Sequence, residues 1–139
     1  MPMLTTVLVM GTFDLLHAGH RQFFAQAAQL GTVTAIVARD ASVHRIKGFL
    51  PEHGERSRVA RVARDPRISR ALLGHPSDFL APVMRICPDI IALGYDQQTF
   101  SIPDLKAKLK ARGLTPRIIR LKSFQPGTLK SSFFRKDKS

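Results

Sequence analysis

The sequence contains no tryptophan, a single tyrosine, Tyr95, and a single cysteine, Cys87. One cysteine excludes an internal disulfide and any cysteine-built metal centre, and it fits a reducing compartment. Its apolar neighbours predict a buried thiol. The scarcity of Tyr and Trp leaves no interleaved aromatic surface on which nucleic-acid bases would stack. Acidic residues are also few: 10 Asp and Glu against 22 Lys and Arg give a formal charge of +12. Such a charge attracts phosphate in any form, from nucleotides to RNA, and does not choose among them. No apolar run approaches the ~20 residues needed to span a bilayer. The first residues lack the basic and apolar regions of a secretory signal, so the expected location is cytoplasmic. A length of 139 residues with 44% hydrophobic content suits one domain with one sizeable core.

What is present is the block Gly11-Thr12-Phe13-Asp14-Leu15-Leu16-His17-Ala18-Gly19-His20. It follows an apolar run at residues 7–10 that reads as a buried strand. It precedes residues 21–30, where Phe23, Phe24, Ala27, Ala28 and Leu30 form a helical stripe. Two histidines therefore stand where a strand turns into the first turn of a helix. Free backbone N–H groups and the positive end of the helix dipole favour an anion at such a turn. Two imidazoles added there suit a phosphate whose charge grows during reaction. Gly19 leaves room for a ligand to approach the backbone.

Residues 32–38 read as a second strand, so the opening unit is βαβ with parallel strands and a right-handed crossover. Arg39 and Asp40 fall at the carboxyl end of that strand, the ligand side of an open α/β sheet. Asp40 equally suits the cap of a short helix at residues 41–45. Residues 46–54, with Gly48, Pro51 and Gly54, read as a loop that carries Lys47. Residues 55–64 read as a helix on which Arg61 and Arg64 belong to a solvated face. Residues 71–73 form a third strand. A helix then runs from Ser77 or Asp78 through Cys87, with its start uncertain around Pro82. Residues 89–93 form a buried fourth strand that ends at Gly94-Tyr95-Asp96-Gln97. Residues 104–112 read as a helix opened by Pro103, and residues 117–121 as the fifth strand. The tail, residues 129–139, carries Lys130, Ser131, Ser132, Phe133 and Phe134. His44, His53 and His75 show no ligand spacing and are expected at the surface. Five strands alternating with helices predict a single doubly wound α/β domain over residues 1–139, with a parallel sheet and helices on both faces.

The block Gly11 to His20 resembles the signature of the nucleotidyltransferase superfamily, which includes glycerol-3-phosphate cytidylyltransferase, phosphopantetheine adenylyltransferase and archaeal-type FAD synthase. Ala38-Arg39-Asp40, Lys47-Gly48, Gly94-Tyr95-Asp96-Gln97 and Ser131-Ser132 extend the likeness over almost the whole chain, and the archaeal-type FAD synthase pattern is nearest. The resemblance implies a Rossmann-like strand order 3-2-1-4-5. It implies a reaction in which a substrate phosphate attacks the α-phosphorus of a nucleoside triphosphate and pyrophosphate leaves. His17, His20 and Lys47 are then the catalytic residues. Nucleotide binding falls to Gly11, Thr12, Phe13, His17, His20, Arg58, Gly94, Asp96, Gln97, Ser131 and Ser132. The acceptor falls to Asp14, Arg39, Asp40 and Lys47. Mg²⁺ would travel with the triphosphate, held by phosphates and water rather than by a protein cage. Members of the family often form homodimers, and that assembly is an expectation here too. The tail departs from the pattern: the archaeal-type enzymes carry cysteine before the serine pair, where this chain has Gln125-Pro126-Gly127-Thr128.

The leading expectation is transfer of AMP from ATP to FMN, giving FAD and pyrophosphate. The alternative within enzymes is a CTP-dependent cytidylyltransferase acting on glycerol 3-phosphate or a related alcohol phosphate. The alternative outside enzymes is an RNA-binding module on a degenerate nucleotidyltransferase fold. The intact His17, His20 and serine pair, and the lack of stacking aromatics, speak against the last. The tail is expected to be mobile when empty and ordered when ATP is bound.

Overall fold

The structure, a computed structural model, describes residues 4–94 and 101–122. Ten elements follow in order: β1 (Thr6–Gly11), α1 (Ala18–Ala28), β2 (Thr32–Val37), α2 (Asp40–Lys47), α3 (Glu55–Ala63), β3 (Ile68–Leu73), α4 (Leu80–Ile86), β4 (Ile90–Leu93), α5 (Ile102–Ala111) and β5 (Arg117–Arg120). The strands make one five-stranded parallel sheet of order β3-β2-β1-β4-β5. This is the doubly wound arrangement that the alternation of elements predicts, in the order the resemblance implies.

The alternation of side chains along the strands divides the interior in two. Val7, Val9, Val33, Ala35 and Val37 face α1 and α3 with Phe24, Ala27 and Val62. Leu8, Met10, Ile36, Ile91 and Leu93 face α4 and α5 with Leu80, Val83, Leu105 and Leu109. Covered on both sides, β1 and β4 read in sequence as unbroken apolar runs. Each fully buried Val, Leu or Phe contributes about 1.5–3 kcal/mol, so the two half-cores hold the sheet at its centre. Among the described residues, no helix is long and apolar enough to cross a membrane.

Several boundaries differ from the sequence expectation. β3 begins at Ile68 rather than at residue 71; Ser69 and Arg70 are exposed on this edge strand and hide its start, and the pairing with β2 is irregular at Val33/Thr34. α2 runs on to Lys47 and ends at Gly48, whose φ of 84° lies in the left-handed region that glycine adopts freely. Lys47 is therefore in the last turn of a helix, not in a loop. Pro82 lies in the first turn of α4, where a missing N–H leaves no helical bond unmade. Cys87 is exposed, not buried. It sits at the end of α4 with φ 51°, and its thiol donates to the Met84 carbonyl at 2.9 Å.

All five strands run the same way, so their carboxyl ends share one rim. From β1 the chain first steps to β2 and β3, and later to β4 and β5 on the other side. That reversal leaves a crevice outside the ends of β1 and β4, the position at which open α/β sheets bind ligands.

Candidate active site

The turn after β1 is built around Phe13. Its φ of 52° is left-handed for a residue with a side chain, a strain of about 1–3 kcal/mol. The strain is offset by burial of the ring against Phe24, with centroids 5.3 Å apart, and edge-on to His20, at 5.8 Å. Gly11 makes space for it, since a Cβ there would stand 2.9 Å from the Phe13 ring. The folded-back ring brings the chain into α1 with His17 as the N-cap residue and His20 in the first turn.

The two imidazoles close that helix end reciprocally. The Gly19 N–H donates to His17 Nδ1 at 3.0 Å, and the His17 N–H donates to His20 Nδ1 at 3.3 Å. A ring nitrogen that accepts carries no proton, so each neutral ring holds its proton on Nε2 as a donor. The ring centroids lie 4.1 Å apart. Histidine thus replaces the Ser and Glu of the usual capping box, and the pair presents two N–H donors beside the positive end of α1. Gly19 also lines the cleft. A Cβ at residue 19 would lie 2.8 Å from His17 Cε1, so the missing side chain makes room for the imidazole.

A second unit faces this turn. Lys47 Nζ donates to Thr12 Oγ1 at 3.2 Å. Both oxygens of Asp14 accept backbone N–H groups, from Glu52 at 2.8 Å and His53 at 2.9 Å. Partial burial pushes the Asp14 carboxyl up, but these two bonds, with His53 and Arg58 nearby, hold it below the usual carboxylate range. Asp40 is not the cap expected of it, since Arg39 holds that position and Asp40 opens α2. Instead Asp40 and Glu55, the first residues of α2 and α3, bond each other's backbone: the Asp40 N–H donates to Glu55 Oε1 at 2.8 Å, and the Glu55 N–H to Asp40 Oδ2 at 3.2 Å. Arg39 donates through Nε to the Gly74 carbonyl at 2.7 Å and pairs with Glu55 at 3.5 Å.

Arg58 corrects an expectation. Its side chain is fully buried, and its guanidinium donates to the His53 carbonyl at 2.9 Å, the Thr12 carbonyl at 2.8 Å and Asp40 Oδ1 at 2.7 Å. The planar fork that suits a phosphate is here fitted to three protein oxygens. Arg58 therefore braces the site and does not line it, and neither does Asp40.

Together these pieces border a cleft of about 1300 Å³ among the described residues. A single small-molecule site commonly takes about 300–1,000 Å³, so the space suits two ligands side by side. Of the residues picked out from the sequence, Gly11, Thr12, Phe13, Asp14, His17 and His20 line it from the β1 side. Arg39 and Lys47 line it from α2, and Gly94 from the end of β4. Asp96, Gln97, Ser131 and Ser132 lie outside the described residues. Sequence reasoning missed a set of apolar residues on the wall, Leu15, Ile46, Phe49 and Phe79, and also His75. Ile46 and Phe49 flank Lys47-Gly48, and a bulky apolar residue on each side of that pair in a Gly- and Pro-bearing stretch was a signal that could have been read.

A family model described as cytidylyltransferase-like matches residues 8–137. The FAD synthase of Thermoplasma acidophilum is 37% identical over 131 residues, covering 94% of this chain and 91% of that protein. The FAD synthase of Methanosarcina mazei is 43% identical over 121 residues, covering 86% and 78%. Among solved structures, the crystal structure of the lipopolysaccharide core biosynthesis protein from Thermoplasma volcanium GSS1 superposes with a TM-score of 0.82 at 36% identity, covering 88% of this chain and 99% of that one.

Proposed function

We propose that this chain, which belongs to the cytidylyltransferase-like family, is an FMN adenylyltransferase, or FAD synthase. The likeness to FAD synthases over most of the chain is the observation that carries the choice of substrates. A phosphate oxygen of FMN attacks the α-phosphorus of ATP. The bond from that phosphorus to the oxygen bridging the α- and β-phosphates breaks, and pyrophosphate leaves with the electron pair. The nucleophile is already an anion, so the protein needs no activated serine or cysteine. Its work is to align two anions and to stabilise the charge that builds between them.

In this reading the Nε2–H groups of His17 and His20 donate to the triphosphate and to the charge developing on it. Lys47, already close to the strand-turn-helix block through Thr12, bridges the α-phosphate and the FMN phosphate. Arg39 assists on the acceptor side. Asp14 and Arg58 act through the backbone they hold. Asp96 and Gln97 are assigned to the ribose and base, and Ser131 and Ser132 to the outer phosphates, by resemblance alone. Mg²⁺ would come with the triphosphate, held mainly by its phosphate oxygens and by water. The ion supplies further neutralisation of phosphate charge.

The test is product analysis after incubation with Mg²⁺ and either ATP plus FMN or CTP plus glycerol 3-phosphate. FAD and pyrophosphate are expected from the first mixture only. CDP-glycerol from the second, with no FAD from the first, would overturn the assignment.

A further inference from the structure

Six large apolar side chains are prominently exposed among the described residues, and four of them, Leu15, Ile46, Phe49 and Phe79, border the same cleft as His17, His20 and Lys47. Their exposures are 55%, 66%, 59% and 41%. Single apolar residues scattered over a surface need no explanation, but a cluster on the wall of one cleft marks something that covers it.

Topology says which ligand that is. Leu15 follows β1, Ile46 and Phe49 follow β2, and Phe79 caps α4 on the way from β3 to β4; β2 and β3 lie on the side of β1 away from β4. The segment after β3 is tied to α2 by Arg39 to the Gly74 carbonyl at 2.7 Å and by Arg45 to the Pro76 carbonyl at 3.2 Å. Leu15, the end of α2 and the segment after β3, which Asp78 also ties to Arg112 at the end of α5, all border the cleft, with Lys47 among them as a cation. The part outside β4, beginning at Gly94, is left for the nucleotide.

His75 adds a polar rim. Its Nδ1 accepts the N–H groups of Ser77 at 3.1 Å and Asp78 at 2.8 Å, so its proton is on Nε2. This is the same tautomer as in His17 and His20, fixed in the same way, on a residue that also lines the cleft.

We propose that Leu15, Ile46, Phe49 and Phe79 form the platform for the fused ring of the acceptor, with His75 Nε2–H donating to a ring carbonyl oxygen. The ligand class is a flat, largely apolar heterocycle with carbonyl groups on one edge and a phosphate on a flexible chain long enough to reach Lys47. This rests on the FMN reading above and extends it. An alcohol phosphate such as glycerol 3-phosphate has no apolar surface to cover four such side chains.

The experiment compares steady-state FAD formation by the full chain with that of Ile46→Ser, Phe49→Ser and His75→Ala. The control is Leu50→Ser, which removes an equally exposed leucine from outside the cleft. Loss of a half-buried apolar contact should raise KM for FMN roughly tenfold in each serine variant. Loss of one neutral hydrogen bond should raise it about three- to tenfold in His75→Ala. KM for ATP and the melting temperature should stay at wild-type values, as they should in every respect for Leu50→Ser. FAD formation by the wild type with unchanged KM for FMN in the cleft variants would overturn the platform alone. A rise equal for FMN and ATP would also overturn it. Failure of the wild type to form FAD at all would overturn the reading on which the platform rests.

Discussion

Gly19→Ala separates the fold of the strand-turn-helix block from its chemistry. Residue 19 has helical backbone geometry inside α1, so alanine fits the main chain and gains up to about 1 kcal/mol of helix propensity over glycine. The new methyl group, however, would stand 2.8 Å from His17 Cε1 and 3.0 Å from Nδ1, about 0.6 Å inside ordinary contact, which begins near 3.4 Å. The glycine is flanked by its own helix, so the ring is what moves. Its Nδ1 leaves the Gly19 N–H, and the lost cap costs about 1 kcal/mol. The two terms nearly cancel, so the midpoint of thermal unfolding should shift by only a few degrees. Catalysis has no such compensation. A misplacement of about 1 Å costs roughly 100-fold in rate, so a donor moved by this smaller amount should lose on the order of tenfold or more. Parallel melting curves and initial rates of FAD formation at saturating ATP and FMN check both halves. Native turnover in Gly19→Ala would refute the idea that the imidazole is held in place by the missing Cβ. A variant that loses activity only by unfolding would refute the separation of the two roles.

His17→Ala and His20→Ala should each lower kcat by roughly 100- to 1000-fold with little change in KM for ATP, as expected for donors that act on transition-state charge, and initial-rate kinetics decide it. Arg58→Met removes a guanidinium from three buried or half-buried oxygens; the expected loss is about 3–5 kcal/mol in urea unfolding, and Arg58→Lys should rescue little because an ammonium lacks the planar fork. Asp14 has its folded-state pKa lowered, so its contribution to stability is complete above the unfolded value of about 4 and is lost as pH falls through the lower folded value. Asp14→Asn should accordingly flatten the acid limb of the stability profile below about pH 4, and an unchanged limb would show that the carboxylate is not bonded as described.

The parts of this molecule that could be read from sequence are those decided by neighbours in the chain. β1 and β4 announce themselves because burial on both faces needs only apolar side chains in a row, and the histidine pair stands out because a strand, a turn and a helix follow one another within a short stretch. Arg58 could not be read that way. Its burial depends on His53, Asp40 and Thr12, which lie up to 46 positions away, so a local reading sees only one of several arginines on a helix. The apolar wall failed for the same reason: Leu15, Ile46 and Phe79 come from three strand ends, and only the parallel sheet brings them to one rim. Cys87 shows the opposite error. Apolar neighbours suggested burial, but the chain turns left-handed at Cys87 and its thiol bonds back to the Met84 carbonyl at the exposed end of α4. His75 was within reach, since its two partners are the next residues but one and but two.

Three of the interactions that sequence hid do one thing: they join the turn that carries the histidines to the unit that carries Lys47. Arg58 grips the Thr12 carbonyl, Asp14 grips the backbone at 52 and 53, and Lys47 reaches Thr12. Asp40 and Glu55 meanwhile lock α2 to α3, and Arg39 locks α2 to the end of β3. A reaction between two anions with an intrinsically competent nucleophile has its barrier mainly in alignment and charge. A chain that had only to bind phosphate would gain most by leaving its cations free in the cleft. This one instead buries Arg58 completely and ties both oxygens of Asp14 to backbone, giving up ligands to fix distances. That choice is what adenylyl transfer between two separately bound substrates requires: the donors on α1 and the cation on α2 must keep their separation as the two substrates come and go.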